Sequence, residues 1–255
     1  MRTVIKVGTS TLAYSTGHLN IRHMEKLCRV ISDLKNAGGE IILVSSGAVG
    51  MGMGRLSLNE RPRDLVSKQA VAAVGQCELM YTYDKLFSEY NHTVAQILLT
   101  ADDVNDAAHR ANFVATIERL LEMKALPVIN ENDTVSTEEF GIGDNDTLAS
   151  IVAANAGADL LILLTDIDGL YTADPRQRDD AKLIPVVDEI TPEIEALAGG
   201  SGSSVGTGGM VTKIRAAKIA KEAGCDTVIA NGRDPAIIYN IVEGKPEGTR
   251  FIGKN

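Results

Sequence analysis

Six short apolar runs constrain this chain most, because helical patterns lie between them and polar or glycine-rich segments follow most of them. The runs occupy residues 4–7, 41–44, 94–99, 126–129, 160–164 and 227–230. Met24, Leu27, Ile31 and Leu34 mark one face of a helix over 21–37, stopped by Gly38-Gly39. The pattern predicts a long helix over 65–90, interrupted near Gly75. It predicts another around Phe113, Ile117, Leu120 and Leu121, and a further one over 210–223, ended by Gly224. Strand and helix in repetition imply crossover connections and a mostly parallel sheet. The runs IILV and LLILL lack polar alternation, as strands covered on both faces do. No internal repeat or linker divides the 255 residues, so one domain over 1–255 is expected. The glycine- and serine-rich stretch 199–209 reads as a mobile loop within it.

Sheets of this kind bind ligands beyond the carboxyl ends of their strands. The segments GTS, SSGAVG, NENDTV and TDIDG each follow a strand, so they should converge on one rim despite their separation in sequence.

Composition excludes several classes of function. The net charge is −9, from 25 basic and 34 acidic residues, which argues against nucleic acid or an anionic membrane as main partner. A nucleotide needs only a local positive pocket. No apolar run approaches the roughly 20 residues of a membrane helix, and a strand begins too early for a signal peptide, so a cytoplasmic protein is expected. Cys28, Cys77 and Cys225 show no pairing or metal spacing and read as buried reduced thiols. The histidines at 18, 23, 92 and 109 form no ligand set.

Lys6 interrupts the first strand. An ammonium there needs an anion if the strand is covered, or water if the strand is an edge. Ser45-Ser46-Gly47-Ala48-Val49-Gly50 offers hydroxyls and backbone N–H groups to an anion, although a tight turn uses the same small residues. The carboxylates and amides of 130–133 and 144–146 suit an ammonium group or Mg²⁺; a helix cap at Asp144 or Asn145 would account for one of them. Asp166, at a strand end, suits orienting a lysine or a hydrated metal. Gly206-Thr207-Gly208-Gly209-Met210-Val211-Thr212-Lys213 leads into a helix, where glycines permit close approach to phosphate and Lys213 adds charge. Neither a P-loop nor a strict dinucleotide fingerprint occurs. Gly202–Gly206 matches G-x-S-x-G, but no strand precedes it and no His follows Ser204, which excludes the hydrolase arrangement.

Together IKVGTSTL, VSSGAVGMGMGRL, ENDTV, FGIGDNDTLAS, LTDIDGLYTADPR and GTGGMVTK resemble the glutamate 5-kinases of the amino-acid kinase family, in order along nearly the whole chain. The resemblance implies a three-layer α/β/α sandwich, ATP and Mg²⁺ as cofactors, and L-glutamate as phosphoryl acceptor in the first step of proline biosynthesis. It also implies a homo-oligomer and proline as feedback inhibitor. By motif, Lys6 and Lys213 flank the transferred phosphoryl group and Asp166 holds those lysines in position. Thr165, Asp166, Thr207, Gly208, Gly209, Met210, Val211, Thr212 and Lys213 join Lys6 in the nucleotide site. Ser46, Asp133 and Asn145 match glutamate-binding positions, with Asp146 beside them. Many bacterial members continue into a C-terminal PUA domain; with the sequence ending at Asn255, none is expected here. The alternatives are a relative acting on N-acetylglutamate, aspartate, carbamate or uridylate, and a nucleotide sensor without turnover.

Overall fold

The structure is a computed structural model that describes residues 1–14, 18–136, 144–198 and 209–253. Its eight strands are β1 (Arg2–Val7), β2 (Glu40–Ser45), β3 (Val94–Leu99), β4 (Leu126–Glu131), β5 (Leu160–Thr165), β6 (Val186–Val187), β7 (Asp226–Asn231) and β8 (Thr249–Phe251). The first half of the chain supplies helices α1 (Thr9–Leu12), α2 (Ile21–Asn36), α3 (Ala48–Arg55), α4 (Leu65–Ser88), α5 (Ala101–Asn105) and α6 (Ala107–Glu122). The second half supplies α7 (Asn145–Asn155), α8 (Pro192–Ala198), α9 (Met210–Glu222) and α10 (Ile237–Val242).

The strands form one sheet in the order β3-β4-β2-β1-β5-β7-β8-β6. All pairings are parallel except β7 with β8. All six expected strands are present, mostly one or two residues longer than their apolar cores. The two-residue β6 and three-residue β8 carry too little pattern to be read from sequence.

Side chains alternate across the strands and so build two cores. Val4, Ile42, Val44, Ile129, Leu161 and Leu163 face α6, α7 and α9 on one side. Ile5, Leu43, Val128, Ile162 and Leu164 face α2, α4 and α10 on the other. Each fully buried aliphatic side chain contributes about 1.5–3 kcal/mol of transfer free energy, so both helical layers are firmly seated. The result is the expected α/β/α sandwich.

α4 runs without interruption through Gly75, contrary to the break expected there. Gly75 is where α4 presses against α3: a Cβ at this position would stand 1.7 Å from the Ala48 carbonyl oxygen. The glycine therefore serves close helix packing, and the contact more than offsets its poor helix propensity. Cys28 and Cys225 are buried as expected, but Cys77 is exposed. It lies on the outer face of α4, opposite the Leu79–Tyr83 side that meets the sheet.

Chain order reverses at β1. β2 lies on one side, and the second half of the chain begins with β5 on the other. The crevice at such a switch point is the expected ligand site. It is bordered by the carboxyl ends of β1, β2, β4 and β5.

Candidate active site

Lys6 is in register with Val44 of β2 and Leu163 of β5, so β1 is a central strand and not an edge. Its side chain shares the face of Val4, beneath α7 and α9, and is 8% exposed. A buried ammonium there requires a counter-charge. Asp146, 1% exposed, provides it: Lys6 Nζ lies 2.8 Å from Asp146 Oδ1. Lys213 Nζ, from the first turn of α9, donates to the other oxygen, Oδ2, at 3.1 Å. Thr212 Oγ1 is 2.9 Å from that same Oδ2 and 2.8 Å from the Gly209 carbonyl, between which its single hydrogen is shared. Burial pushes the Asp146 carboxyl up, but the two ammonium groups outweigh it and hold it below the usual carboxylate range.

The start of α7 explains how Asp146 comes to be free for this role. Asp144 is the N-cap and accepts from Asp146 N at 2.8 Å, Thr147 N at 2.9 Å and Thr147 Oγ1 at 3.0 Å. With the cap assigned to Asp144, the next two side chains project into the crevice. Asp146 meets the lysines, while Asn145 Nδ2 donates to Ser46 Oγ at 2.7 Å and to Asn130 Oδ1 at 2.9 Å. Ser46 follows β2 directly, before Gly47, whose φ of +111° turns the chain into α3.

Asp166 requires a correction. It falls one residue beyond β5, is exposed, and does not stand between the lysines. Its described contacts are the Thr165 hydroxyl at 3.2 Å and Arg176 at 3.9 Å. The carboxylate that contacts both lysines is Asp146, because a helix start above β1 reaches Lys6 and a strand exit turning to solvent does not. Thr165 itself is buried at the end of β5.

Gly209 caps α9, with Met210, Val211, Thr212 and Lys213 in its first turn. Val211 is exposed and Lys213 buried. Thr207 and Gly208 lie outside the described residues, as do 199–206 and therefore the G-x-S-x-G match. Asp133 follows β4 and is half-buried. Burial, and then the neighbouring Glu131, push its carboxyl up to about 6 against the opposing pull of Arg61.

The sequence marks Asn130 only as one of the polar residues of 130–133 and passes over Gln76, and the structure joins the two beside Asn145. Asn130 is 3% exposed and donates through Nδ2 to Gln76 Oε1 at 2.9 Å. Gln76 left one signal in the sequence. It sits in the buried stripe Ala72-Gln76-Leu79-Tyr83 of α4, where an apolar residue would otherwise stand.

Among the described residues, no three His, Cys, Asp or Glu side chains group as a metal cage. Among those residues no helix is long and apolar enough to cross a membrane.

Comparison with known proteins bears on the family and the fold. The profile of the "Amino acid kinase family" matches residues 1–231. A protein named glutamate 5-kinase from Clostridium perfringens is 51% identical over 257 residues, covering 99% of this chain and 96% of that protein. Another of that name, from Moorella thermoacetica, is 54% identical over 251 residues, covering 98% of this chain and 66% of that longer protein. The carbamate kinase of Giardia lamblia, solved with AMP-PNP, shares the fold with a TM-score of 0.69 at 17% identity, over 99% of this chain and 98% of that one. Matched by the profile along most of its length and about half identical to the two glutamate 5-kinases, the chain belongs to the amino acid kinase family.

Proposed function

We propose that this chain transfers the γ-phosphoryl group of ATP to the side-chain carboxylate of L-glutamate, giving L-glutamyl 5-phosphate and ADP, the first step of proline biosynthesis. The observation that carries the reading is the buried Lys6–Asp146–Lys213 trio, with the Ser46–Asn145 pair beside it. Two ammonium groups on one carboxylate suit a transferring phosphoryl group, and the adjacent hydroxyl and amide suit a small polar acceptor. The names of the relatives point to the same acceptor.

A glutamate side chain has a reference pKa near ~4.3 and is already an anionic nucleophile at neutral pH, so no general base is needed. The obstacle is charge repulsion between that carboxylate and the ATP phosphates. Lys6 and Lys213 offset it where negative charge gathers in the transition state, and in-line positioning supplies much of the rest. Asp146 holds both ammonium groups side by side. Gly209 to Lys213, with Thr165, are assigned to the nucleotide; Ser46, Asn145 and Asp133 are assigned to glutamate.

Mg²⁺ would neutralise phosphate charge. It commonly keeps several waters and binds through substrate phosphates with few protein ligands, which fits a rim whose described residues form no carboxylate cage. We assign the activity to one catalytic domain over 1–255 in a cytoplasmic homo-oligomer, with proline as feedback inhibitor, as the motif resemblance implies.

The product tests the proposal. A carboxylate acceptor gives an acyl phosphate, which hydroxylamine intercepts as a hydroxamate. Enzyme with Mg·ATP, L-glutamate and hydroxylamine should yield γ-glutamyl hydroxamate together with ADP. N-acetylglutamate lacks the α-ammonium and would leave the half-buried Asp133 carboxylate unpaired, so it should react at most about one-hundredth as efficiently. Comparable turnover of the two acceptors, or ADP release without hydroxamate, would refute the reading.

A further inference from the structure

The amide relay Gln76–Asn130–Asn145 has a direction. Asn130 Nδ2 donates to Gln76 Oε1 at 2.9 Å, so its Oδ1 is turned to Asn145, whose Nδ2 donates to it at 2.9 Å. The second hydrogen of that same Asn145 Nδ2 goes to Ser46 Oγ at 2.7 Å. Both donor hydrogens of Asn145 are thereby spent inside the protein, and its Oδ1 accepts from no described residue. Asn145 is thus held in the one amide orientation that offers a ligand an acceptor and no donor.

The fold makes this a long-range arrangement. Asn130 has the parity of Leu126 and Val128, so it points to the α4 side of the sheet, whereas Asn145 opens α7 on the opposite side. The relay passes around the carboxyl ends of the strands and links the two layers. Gln76 can anchor it because Gly75 lets α4 sit against α3 at backbone contact.

We infer that Gln76 is a positioning residue for acceptor specificity: by accepting from Asn130 it fixes the Asn145 carbonyl toward the substrate, selecting an acceptor that carries a positively charged N–H donor. Free glutamate at neutral pH has a single donor group, its α-ammonium, and every other polar atom is an acceptor. An Asn145 side chain turned the other way would present N–H groups to that ammonium and repel it. Ser46, whose oxygen accepts from Asn145, keeps its own hydrogen to donate to a substrate carboxylate. Removing the Gln76 acceptor lets Asn130, and then Asn145, turn over.

This inference rests on the reading of the site as a glutamate site, and the test separates the two. Steady-state constants are measured for the full chain with L-glutamate and with 2-hydroxyglutarate, which exchanges the ammonium for a hydroxyl that can donate or accept. Gln76→Met, similar in volume but without the acceptor, should raise KM for glutamate at least ~10-fold while KM for ATP stays within about twofold. The preference for glutamate over 2-hydroxyglutarate should shrink by a similar factor. Partial unfolding lowers the active fraction for both acceptors alike and does not change that ratio. Gln76→Glu keeps an acceptor in every orientation and should restore the wild-type ratio. If Gln76→Met does not fold, Gln76→Glu decides alone: a retained ratio supports the relay, and a lost ratio overturns it. An unchanged ratio in Gln76→Met also overturns it. Wild-type protein that phosphorylates neither acceptor would refute the glutamate reading itself, and with it this one.

Discussion

Lys6 Nζ lies 2.8 Å from Asp146 Oδ1, and both side chains are almost wholly enclosed. The other oxygen of that carboxylate holds Lys213. A buried ion cluster of this kind is weak evidence for stability, since desolvation offsets most of the attraction. Its value is positional: two ammonium groups from opposite ends of the chain are fixed side by side.

Removing the shared carboxylate should therefore harm stability and turnover together. Asp146→Asn removes the buried carboxylate that faces both ammonium groups and should lose roughly 3 kcal/mol or more in urea unfolding. Turnover should fall at least ~10²-fold. Asp166→Asn, on an exposed side chain, should change unfolding free energy by no more than about 0.5 kcal/mol. Equal losses of stability in both variants would contradict the geometry. Because the folded-state pKa of Asp146 is depressed, its contribution is present above the ordinary carboxylate pKa and is lost as pH falls through the folded value.

Lys213→Ala should lower kcat by at least ~10²-fold, the scale for losing one preorganised charge at a transition state. Lys213 closes the first turn of α9 and is 4% exposed, so water cannot readily take its place. A change confined to KM for ATP would mean that it serves only to bind nucleotide.

Asp133 should make glutamate binding sensitive to mildly acidic pH. Its carboxyl is raised to about 6, so protonation on passing below that pH removes the charge assigned to the α-ammonium. KM for glutamate should rise as pH falls through about 6, and Asp133→Asn should raise KM at neutral pH and flatten the profile. For stability the sign is opposite to that of Asp146. A raised carboxyl binds its proton more tightly when folded, so stability declines as pH rises from the unfolded value toward about 6. Without ligand, Asp133→Asn should therefore melt higher than wild type at pH 8 and not at pH 4. A lower melting temperature at pH 8 would indicate that Asp133 supports the fold.

Gly75→Ala tests the helix contact beneath the relay. The added Cβ would meet the Ala48 carbonyl oxygen at 1.7 Å and Gly52 N at 2.4 Å, both backbone atoms that cannot step aside. A loss of about 1–3 kcal/mol or more is expected, despite the gain in helix propensity. Unchanged thermal stability would show that α3 and α4 can separate freely.

The sandwich was legible in the chain because burial on both sheet faces leaves unbroken apolar runs, and crossover helices leave a 3.6-residue period. Both are local patterns, so β1 to β5, β7 and the main helices could be placed to within a few residues. Lys6, Ser46 and Lys213 were also legible as candidates, since a charge in an apolar strand or polar small residues at its end stand out against their neighbours, and the structure brings them to one crevice. Which carboxylate serves the lysines was not legible. Asp144, Asp146, Asp166 and Asp168 all occur in similar polar stretches, and only tertiary packing makes Asp144 a cap, buries Asp146 over β1 and turns Asp166 to solvent. Gln76 was hidden for the same reason. A lone polar residue in a helix has meaning only when its partner is known, and Asn130 reaches it from a strand more than fifty residues away in sequence. Local pattern specifies what each segment becomes; the directions in which side chains converge depend on strand order and helix approach, which no segment contains by itself.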